Sequence, residues 1–386
     1  MRLNITTQHY DRALLLAILF LCAFGTVMLY SASWNESYMR SGGLTESLFL
    51  KNHIKRIILG FTMLFLFLKI DYKNLKSIAT YFLIVTFFLL IITKLYYKIL
   101  GINSPARWLY LGFFSIQTSD IARLSLMLFL AFYLEKKKNQ IRNFKKGFLP
   151  CILIISSVMA LIVIQPDFST SFMIGAISGI MVFIAGAKII HIILSIISGF
   201  IISVPVLYFE PYRWARIISF WNKIWGENDT KEAGYQAYQG LLSLGNGGMF
   251  GVGLGNSIEK NRLLPTPHTD FIFSIIGEEL GLVGTFLILL VFMIIFYRGI
   301  IIAKKCTDSF GVFLAIGISL NIILYAFVNA AVATGMIPVT GLPMPLISYG
   351  GSGMVINMIM IGILLNISES RKSINKGQTW GNLKFE

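Results

Sequence analysis

The run from Ala13 to Ala32, ALLLAILFLCAFGTVMLYSA, holds twenty residues without a charge, and runs of its kind recur along all 386 residues. A helix rises about 1.5 Å per residue, so about twenty apolar residues cover the ~30 Å hydrocarbon core of a bilayer. Backbone groups find no water there, so a single apolar run crosses as a helix. Further spans are expected at about 53–69, 76–95, 120–134, 149–164, 169–186, 188–209, 270–297, 310–334 and 344–367. The result is an all-α integral membrane protein of about ten transmembrane helices. The 120–134 and 149–164 runs are short and need tilt or flanking residues to cross. Arg2 and Arg12 precede the first run and Ser31-Ala32-Ser33 resembles a cleavage site, but the run exceeds a signal-peptide core and is read as an uncleaved span.

Hydrophobic residues make up 56% of the chain and charged ones 13%, so spans and their connections account for most of its length. Residues 1–386 are therefore expected to form a single polytopic membrane domain. A net charge of +15 would suggest nucleic acid for a soluble protein. Here basic loops retained in the cytoplasm explain it, and no nucleic-acid partner is expected. An internal N-terminus puts Lys69/Lys73/Lys76, Lys136-Lys137-Lys138 with Arg142/Lys145/Lys146, Lys304/Lys305 and Arg371/Lys372/Lys376 on the cytoplasmic side. Both termini are then cytoplasmic, with a tail at about 368–386. Lys51, Lys55 and Arg56 fall against this rule at the outer interface. Cys22, Cys151 and Cys306 are scattered and suggest neither a disulfide framework nor a metal site.

The same orientation places four polar segments outside: 101–119, 165–168, 210–269 and 335–343. The third, before the eighth helix, is by far the longest, and loops of that length are usually functional or disordered. It holds Arg213, Trp214, Arg216, Trp221 and Trp225, which suggest amphipathic helices at the interface, then the glycine-rich stretch Gly245–Gly255. Five pieces could converge on this side: Arg107-Trp108, Gln165-Pro166-Asp167, Gln236 to Gln239, His268-Thr269-Asp270 and Ser348 to Ser352. Bland roles exist for each. Arg107 can snorkel, Trp108 can anchor, Asp167 and Asp270 can cap helices, and paired glycines can let helices pack closely.

Asp270 nevertheless stands out, because carboxylates in or near hydrocarbon are costly and tend to be used. Asp120 and Arg123 share a helical face and can pair with each other or hold an anionic substrate. Glu278 and Glu279 diverge by about 100° on one helix, so at least one is expected to face a polar interior or a basic partner such as Arg123. A carboxylate at the outer surface with basic neighbours suits a substrate anchored by a lipid tail. If the headgroup of that substrate carries a diphosphate, Arg or a divalent ion would neutralise the leaving group while Asp270 deprotonates an attacking hydroxyl.

The segments ARWLYLGFFSIQTSD (106–120), QPDFST (165–170), GNGGMFGVGLGNS (245–257), LPTPHTDFIFSIIGEELGLVG (264–284) and PVTGLPMPLISYGGSG (338–353) resemble, in order, the motifs of the SEDS family (shape, elongation, division and sporulation) of peptidoglycan glycosyltransferases. GLGNSIEK (253–260), AGAK (185–188) and PVTGLP (338–343) look more like the division-type FtsW branch than RodA. The resemblance implies polymerisation of lipid II into glycan strands at the outer face of the bacterial cytoplasmic membrane, with the division-type motifs pointing to the division septum. It assigns the essential aspartate to Asp270. Substrate contacts are expected among Arg107, Trp108, Asp120, Arg123, Gln165, Asp167, Gln236, Gln239, Lys260, His268, Ser348 and Ser352. A divalent cation, Mg2+ or Mn2+ with ligands unassigned, and a class B penicillin-binding protein are implied as cofactor and partner, with other division proteins.

Two departures bear on the site. The family commonly has QPSE followed by lysine where this chain has Gln117-Thr118-Ser119-Asp120 and Arg123, a shorter acid and a forked base. The usual YGGSS is Tyr349-Gly350-Gly351-Ser352-Gly353 here, one hydroxyl fewer. Other readings are an elongation or sporulation polymerase of the same chemistry, a lipid II flippase, and a non-catalytic scaffold.

Overall fold

The computed structural model describes residues 10–99, 107–110, 115–224, 232–260, 264 and 267–369. Trp225 and the basic tail beyond Glu369 lie outside the described residues. Helices α1 (Arg12–Arg40), α2 (Leu48–Lys69) and α3 (Tyr72–Ile99) come first. Strands β1 (Trp108–Tyr110) and β2 (Ser115–Gln117) then pair antiparallel with Trp108 opposite Gln117. Next are α4 (Thr118–Lys136), α5 (Leu149–Ile164, entered through a π-helical turn), α6 (Phe168–Ile184) and α7 (Ile189–Tyr208). The long loop folds into α8 (Pro211–Ile224) and α9 (Glu232–Gly247), and α10 (Ile272–Lys305), α11 (Ser309–Ala333) and α12 (Ser352–Glu369) complete the order.

A helix stands at each expected span. Seven of them, α1, α3, α5 with its π turn, α7, α10, α11 and α12, are long and apolar enough to cross a membrane, and α6 is apolar but shorter. The chain is a multi-pass membrane protein. α4, α11 and α12 are mostly buried and form the centre; α2 runs along α12, α10 along α11, and α3 along α4. α7 buries no residue and turns isoleucines outward on all sides. Lipid tails are as apolar as these side chains, so such exposure costs little in a bilayer. At the end away from the site, Asp11 caps α1 and pairs with Arg298 of α10 at 2.6 Å, and Lys76 pairs with Glu135 at 2.7 Å. Arg56, anomalous for charge sidedness, donates to Gly350 O at 3.3 Å and sits 4.4 Å from the Tyr349 ring, so a local contact holds it at the outer end.

Two features correct the expected boundaries. α12 begins at Ser352 rather than near 344, because Pro343 and Pro345 interrupt the helix pattern and Leu346 takes φ +64. The apolar residues 344–347 form a re-entrant turn instead. A β-carbon on Gly25 of α1 would meet Ile347 Cα at 2.7 Å, so the turn's tip reaches mid-helix. By helix rise that is roughly 16 Å below Glu36.

α10, in turn, extends to Lys305 and is broken at Gly281 (φ +69, ψ −167). The break orphans the carbonyls of Glu278 and Glu279 and the amides of Leu282 and Val283. Loop 248–253 takes up all four: Val252 N and Gly253 N donate to Glu278 O and Glu279 O (2.9 and 3.0 Å), and Leu282 N and Val283 N donate to Gly248 O and Met249 O (2.9 and 3.2 Å). Glycine is required for this approach. A β-carbon on Gly247 would lie 1.9 Å from Gly277 O, and one on Gly251 would lie 2.2 Å from Glu279 O. Gly247→Ala is expected to destabilise the protein by about 3 kcal/mol, since the obstructing atom is backbone and cannot rotate away. A thermal midpoint in detergent equal to that of the unsubstituted protein would refute this.

Candidate active site

Four helices, α4, α6, α10 and α12, begin at one end of the bundle, and their first residues converge. The ramp from β2 into α4 locks onto the turn after α5. Thr118 Oγ1 donates to Gln165 Oε1 at 3.0 Å, while Gln117 Nε2 and Ser119 Oγ donate to Asp167 Oδ2 at 2.8 and 2.9 Å. Asp167 also caps α6 through Thr170 N at 3.4 Å. Two motifs separated by some fifty residues thus form one hydrogen-bonded unit, held to α3 by Gln165 Nε2 donating to Leu90 O at 2.8 Å.

Asp120 meets α12. Ser352 Oγ donates to Asp120 Oδ2 at 2.7 Å and accepts from Gln117 N at 2.9 Å. Arg123, buried at 3% exposure, lies 3.2 Å from Asp120 Oδ1 and donates to Asn357 Oδ1 at 3.4 Å, and its guanidinium is 4.5 Å from the Tyr325 ring centroid. Asp120 and Arg123 therefore pair, and both still line the cavity described next.

The backbone around Asp270 is pinned from two sides. Asn329 Nδ2 of α11 donates to Asp270 O and Leu342 O, both at 2.8 Å. Ser348 Oγ donates to Thr269 O at 2.7 Å and Tyr349 N to His268 O at 2.8 Å. The Asp270 side chain lines a cavity of about 1050 Å³, together with Arg107, Trp108, Arg123, Asp167 and Ser348. α8 adds Arg213 and Arg216 to the wall, and Arg216 Nη1 also donates to Val339 O at 3.1 Å. Gly351 gives the Trp108 ring its seat, since a β-carbon there would lie 2.8 Å from the ring. Burial raises the Asp270 pKa above the ordinary carboxylate value of 3.8, against the opposing pull of Arg216, His268 and Arg107.

Asp120 and Asp167 are occupied by protein donors, whereas Arg107 Nε and Arg123 Nε are buried without a hydrogen-bond partner. A buried donor left unsatisfied is costly and calls for a bound group. The surplus of guanidinium donors suits an anionic group beside a carboxylate. Among the described residues no three of His, Cys, Asp and Glu gather closely enough to hold a metal ion. Among the described residues the cavity wall thus offers no preformed cation cage.

Not every expected residue lies on the cavity wall. Gln165 is a fully buried strut behind it. Ser352 stands just behind Asp120. His268 Nδ1 lies 3.1 Å from Glu36 Oε2, its ring packed on Phe49 at 4.4 Å and edge-on to Tyr349 at 5.5 Å, so it braces the segment before Asp270. Gln236 and Gln239 are on α9, which packs against α10, away from the lining residues. Lys260 is buried and pairs with Glu279 at 2.8 Å. Lys260, rather than Arg123, is thus the basic partner of the adjacent glutamates; Arg123 is engaged by Asp120. Glu278 accepts from Ser243 Oγ and Ile258 N at 2.8 and 2.9 Å, in the expected polar interior. Arg213 and Arg216, three apart on an amphipathic helix, were legible as a basic face; Tyr325 and Asn329, four apart inside an apolar span, were a weaker signal.

A family model described as "Cell cycle protein", that of FtsW, RodA and SpoVE, matches residues 12–373. The chain is 36% identical over 367 residues to stage V sporulation protein E of Bacillus subtilis (strain 168), covering 94% of this chain and 98% of that one. It is 37% identical over 374 residues to a probable peptidoglycan glycosyltransferase FtsW of Geobacter sulfurreducens, covering 95% and 96%. Among solved structures, a chain of a peptidoglycan synthase complex that coordinates polymerization and crosslinking has a TM-score of 0.76 at 24% identity, covering 95% and 99%. The rod shape determining protein RodA of Thermus thermophilus follows the same fold with a TM-score of 0.67 at 24% identity, also covering 95% and 99%.

Proposed function

Because the chain belongs to the FtsW/RodA/SpoVE family of cell-cycle membrane proteins, we propose that it is a peptidoglycan glycosyltransferase polymerising lipid II into glycan strands at the outer face of the cytoplasmic membrane. One observation carries the reading: the Asp270 carboxylate lies on the wall of a cavity that also presents Arg107, Arg123, Arg213 and Arg216. Asp270 takes the proton from the 4-hydroxyl of an acceptor GlcNAc as its oxygen bonds to C1 of the donor MurNAc. The C1–O bond to the diphosphate breaks with its electron pair on the leaving oxygen, and the reaction inverts at C1. The arginines neutralise that developing charge. The cation expected from the resemblance would travel with the diphosphate, whose oxygens are the customary ligands of Mg2+ in phosphate sites.

The relatives include sporulation and division proteins at nearly equal identity. GLGNSIEK, AGAK and PVTGLP favour the division role, hence septal wall synthesis in company with other division proteins. A class B penicillin-binding protein is the proposed partner, supported by the likeness to a chain of a synthase complex. A second reading, transport of lipid II, draws on polar contacts that descend from Arg123 through Asn357 to Asn321. Among the described residues, the next contact of Asn321 Nδ2 is Met360 Sδ, at 3.5 Å, an apolar end to the path that favours the enzyme.

The test is purified protein with its transpeptidase partner and fluorescent lipid II. Glycan polymer supports the enzyme, and movement of lipid II across vesicles without polymer supports the transporter. pH sharpens the test. The base must be ionised and its pKa is raised, so kcat/KM falls with decreasing pH at a midpoint above 3.8. Arg216→Met removes a cation that holds this pKa down, and is expected to move the midpoint upward. A midpoint that stays put or falls contradicts the assignment.

A further inference from the structure

The break in α10 separates the helix into a membrane-crossing part and a short first segment, Ile272–Leu280, that follows directly on Asp270. Helical hydrogen bonds do not carry across the break, because loop 248–253 takes the four groups concerned. What sets the first segment against the rest of the bundle is therefore the loop, together with the two adjacent carboxylates at the segment's end.

Each glutamate fastens a different body. Glu278, completely buried, accepts from Ser243 Oγ of α9 at 2.8 Å, from Ser257 Oγ, and from Ile258 N at 2.9 Å. Glu279, also completely buried, accepts from Lys260 Nζ at 2.8 Å and from Ser31 Oγ of α1 at 2.6 Å, and Lys260 Nζ donates to Ser31 Oγ at 3.1 Å. Lys260 ends the same stretch of loop that splints the break. A buried ion pair is costly to desolvate, and a hydrophobic pair of equal size often serves stability as well. Its presence here points to a requirement for fixed geometry.

We propose that loop 248–260 is a splint that sets the Asp270 carboxylate in register with the cavity, with Lys260, Glu278 and Glu279 as positioning residues for the transfer step. The proposal rests on Asp270 being the base. The splint ties the far end of segment 272–280 to α9 and α1, while Asn329 holds the segment's near end at Asp270 O, so a slackened splint lets the segment turn about the Asn329 contact. With its carbonyl as the pivot, Asp270 keeps its place while its side chain rotates out of line with the reacting hydroxyl, and the arginine-lined wall stays intact. The rotation therefore lowers kcat and spares KM.

Lys260→Met in the full-length protein, assayed with the transpeptidase partner and fluorescent lipid II, is expected to lose kcat on the order of 100-fold. KM is expected to stay within about twofold of the unsubstituted value, because ground-state contacts are kept. The double variant Lys260→Gln with Glu279→Gln keeps a neutral hydrogen bond across the pair and is expected to recover most of the lost kcat. Amide hydrogen exchange gives a readout independent of turnover. Protection at Val252, Gly253, Leu282 and Val283 is expected in the unsubstituted protein and in Asp270→Asn, and is expected to fall in Lys260→Met. If Lys260→Met does not purify folded, the milder Lys260→Gln single variant carries the same comparison.

Unchanged kcat in the Lys260 variant overturns the proposal, whether or not protection falls. Lost kcat with all four amides still protected overturns it too. Wild-type polymerisation by Asp270→Asn would instead remove the base assignment, while the exchange data would still report on the splint itself.

Discussion

Asp270→Asn is expected to abolish measurable glycan synthesis, lowering kcat about a thousandfold, in line with the 10²–10⁴-fold typical of a general base. The substitution keeps volume and hydrogen-bonding shape and removes only the charge and its basicity. The backbone contacts that hold this segment, from Asn329 to Asp270 O and from Ser348 to Thr269 O, do not involve the replaced atoms. The thermal midpoint should therefore stay level or rise, since the charged form of a buried carboxylate is disfavoured at this site. Reduced synthesis together with a collapsed midpoint would point to a structural carboxylate. Full activity would remove the base from the mechanism. Loss of the acid limb of the pH profile in any residual activity is the accompanying signature.

Arg123→Met should produce the largest loss of stability, about 3–5 kcal/mol, because it leaves Asp120 beneath the cavity with its cation removed. Among the described residues, Asp120 would retain the Ser352 hydroxyl, at 2.7 Å, as its partner. The cavity would also lose a guanidinium, so KM for lipid II should rise on the order of tenfold or more, as for loss of one charge-assisted hydrogen bond. Arg123→Lys separates the two effects. It restores the charge beside Asp120 and recovers stability, but a point charge does not reproduce the fork that reaches Asn357 while stacking over Tyr325. Thermal unfolding and steady-state kinetics on the two variants read the two effects apart. Equal midpoints for Arg123→Met and the unsubstituted protein would deny the pair its structural role.

Much of this arrangement was legible in the sequence. Apolar runs of bilayer length located the helices, because hydrocarbon permits few other ways to satisfy a backbone. Asp270 stood out because a carboxylate at a lipid boundary is expensive and therefore rarely idle. Pairings across long stretches of chain were less legible. Glu279 finds Lys260 rather than Arg123 because a broken helix folds the preceding loop back upon it, and no local pattern announces such a break. In the sequence, Gly245–Gly255 is legible only as a glycine-rich stretch. In the structure Gly247 and Gly251 admit backbone to within hydrogen-bonding distance of backbone, so that composition marks a tight fit. The start of α12 was misplaced for a related reason. Met344-Pro-Leu-Ile is apolar enough to read as helix, and only its prolines hinted that those side chains enter the bundle as a turn.

α4, α6, α10 and α12 share an orientation, each starting beside the cavity. Each such start carries roughly half a positive elementary charge from its aligned peptide groups. Up-and-down threading of the chain therefore aims several parallel dipoles at one end of the bundle. The direction in which the backbone runs thus adds a fixed positive contribution at this mouth that offsets the carboxylates of Asp120, Asp167 and Asp270, and that contribution would survive exchange of every arginine in the wall.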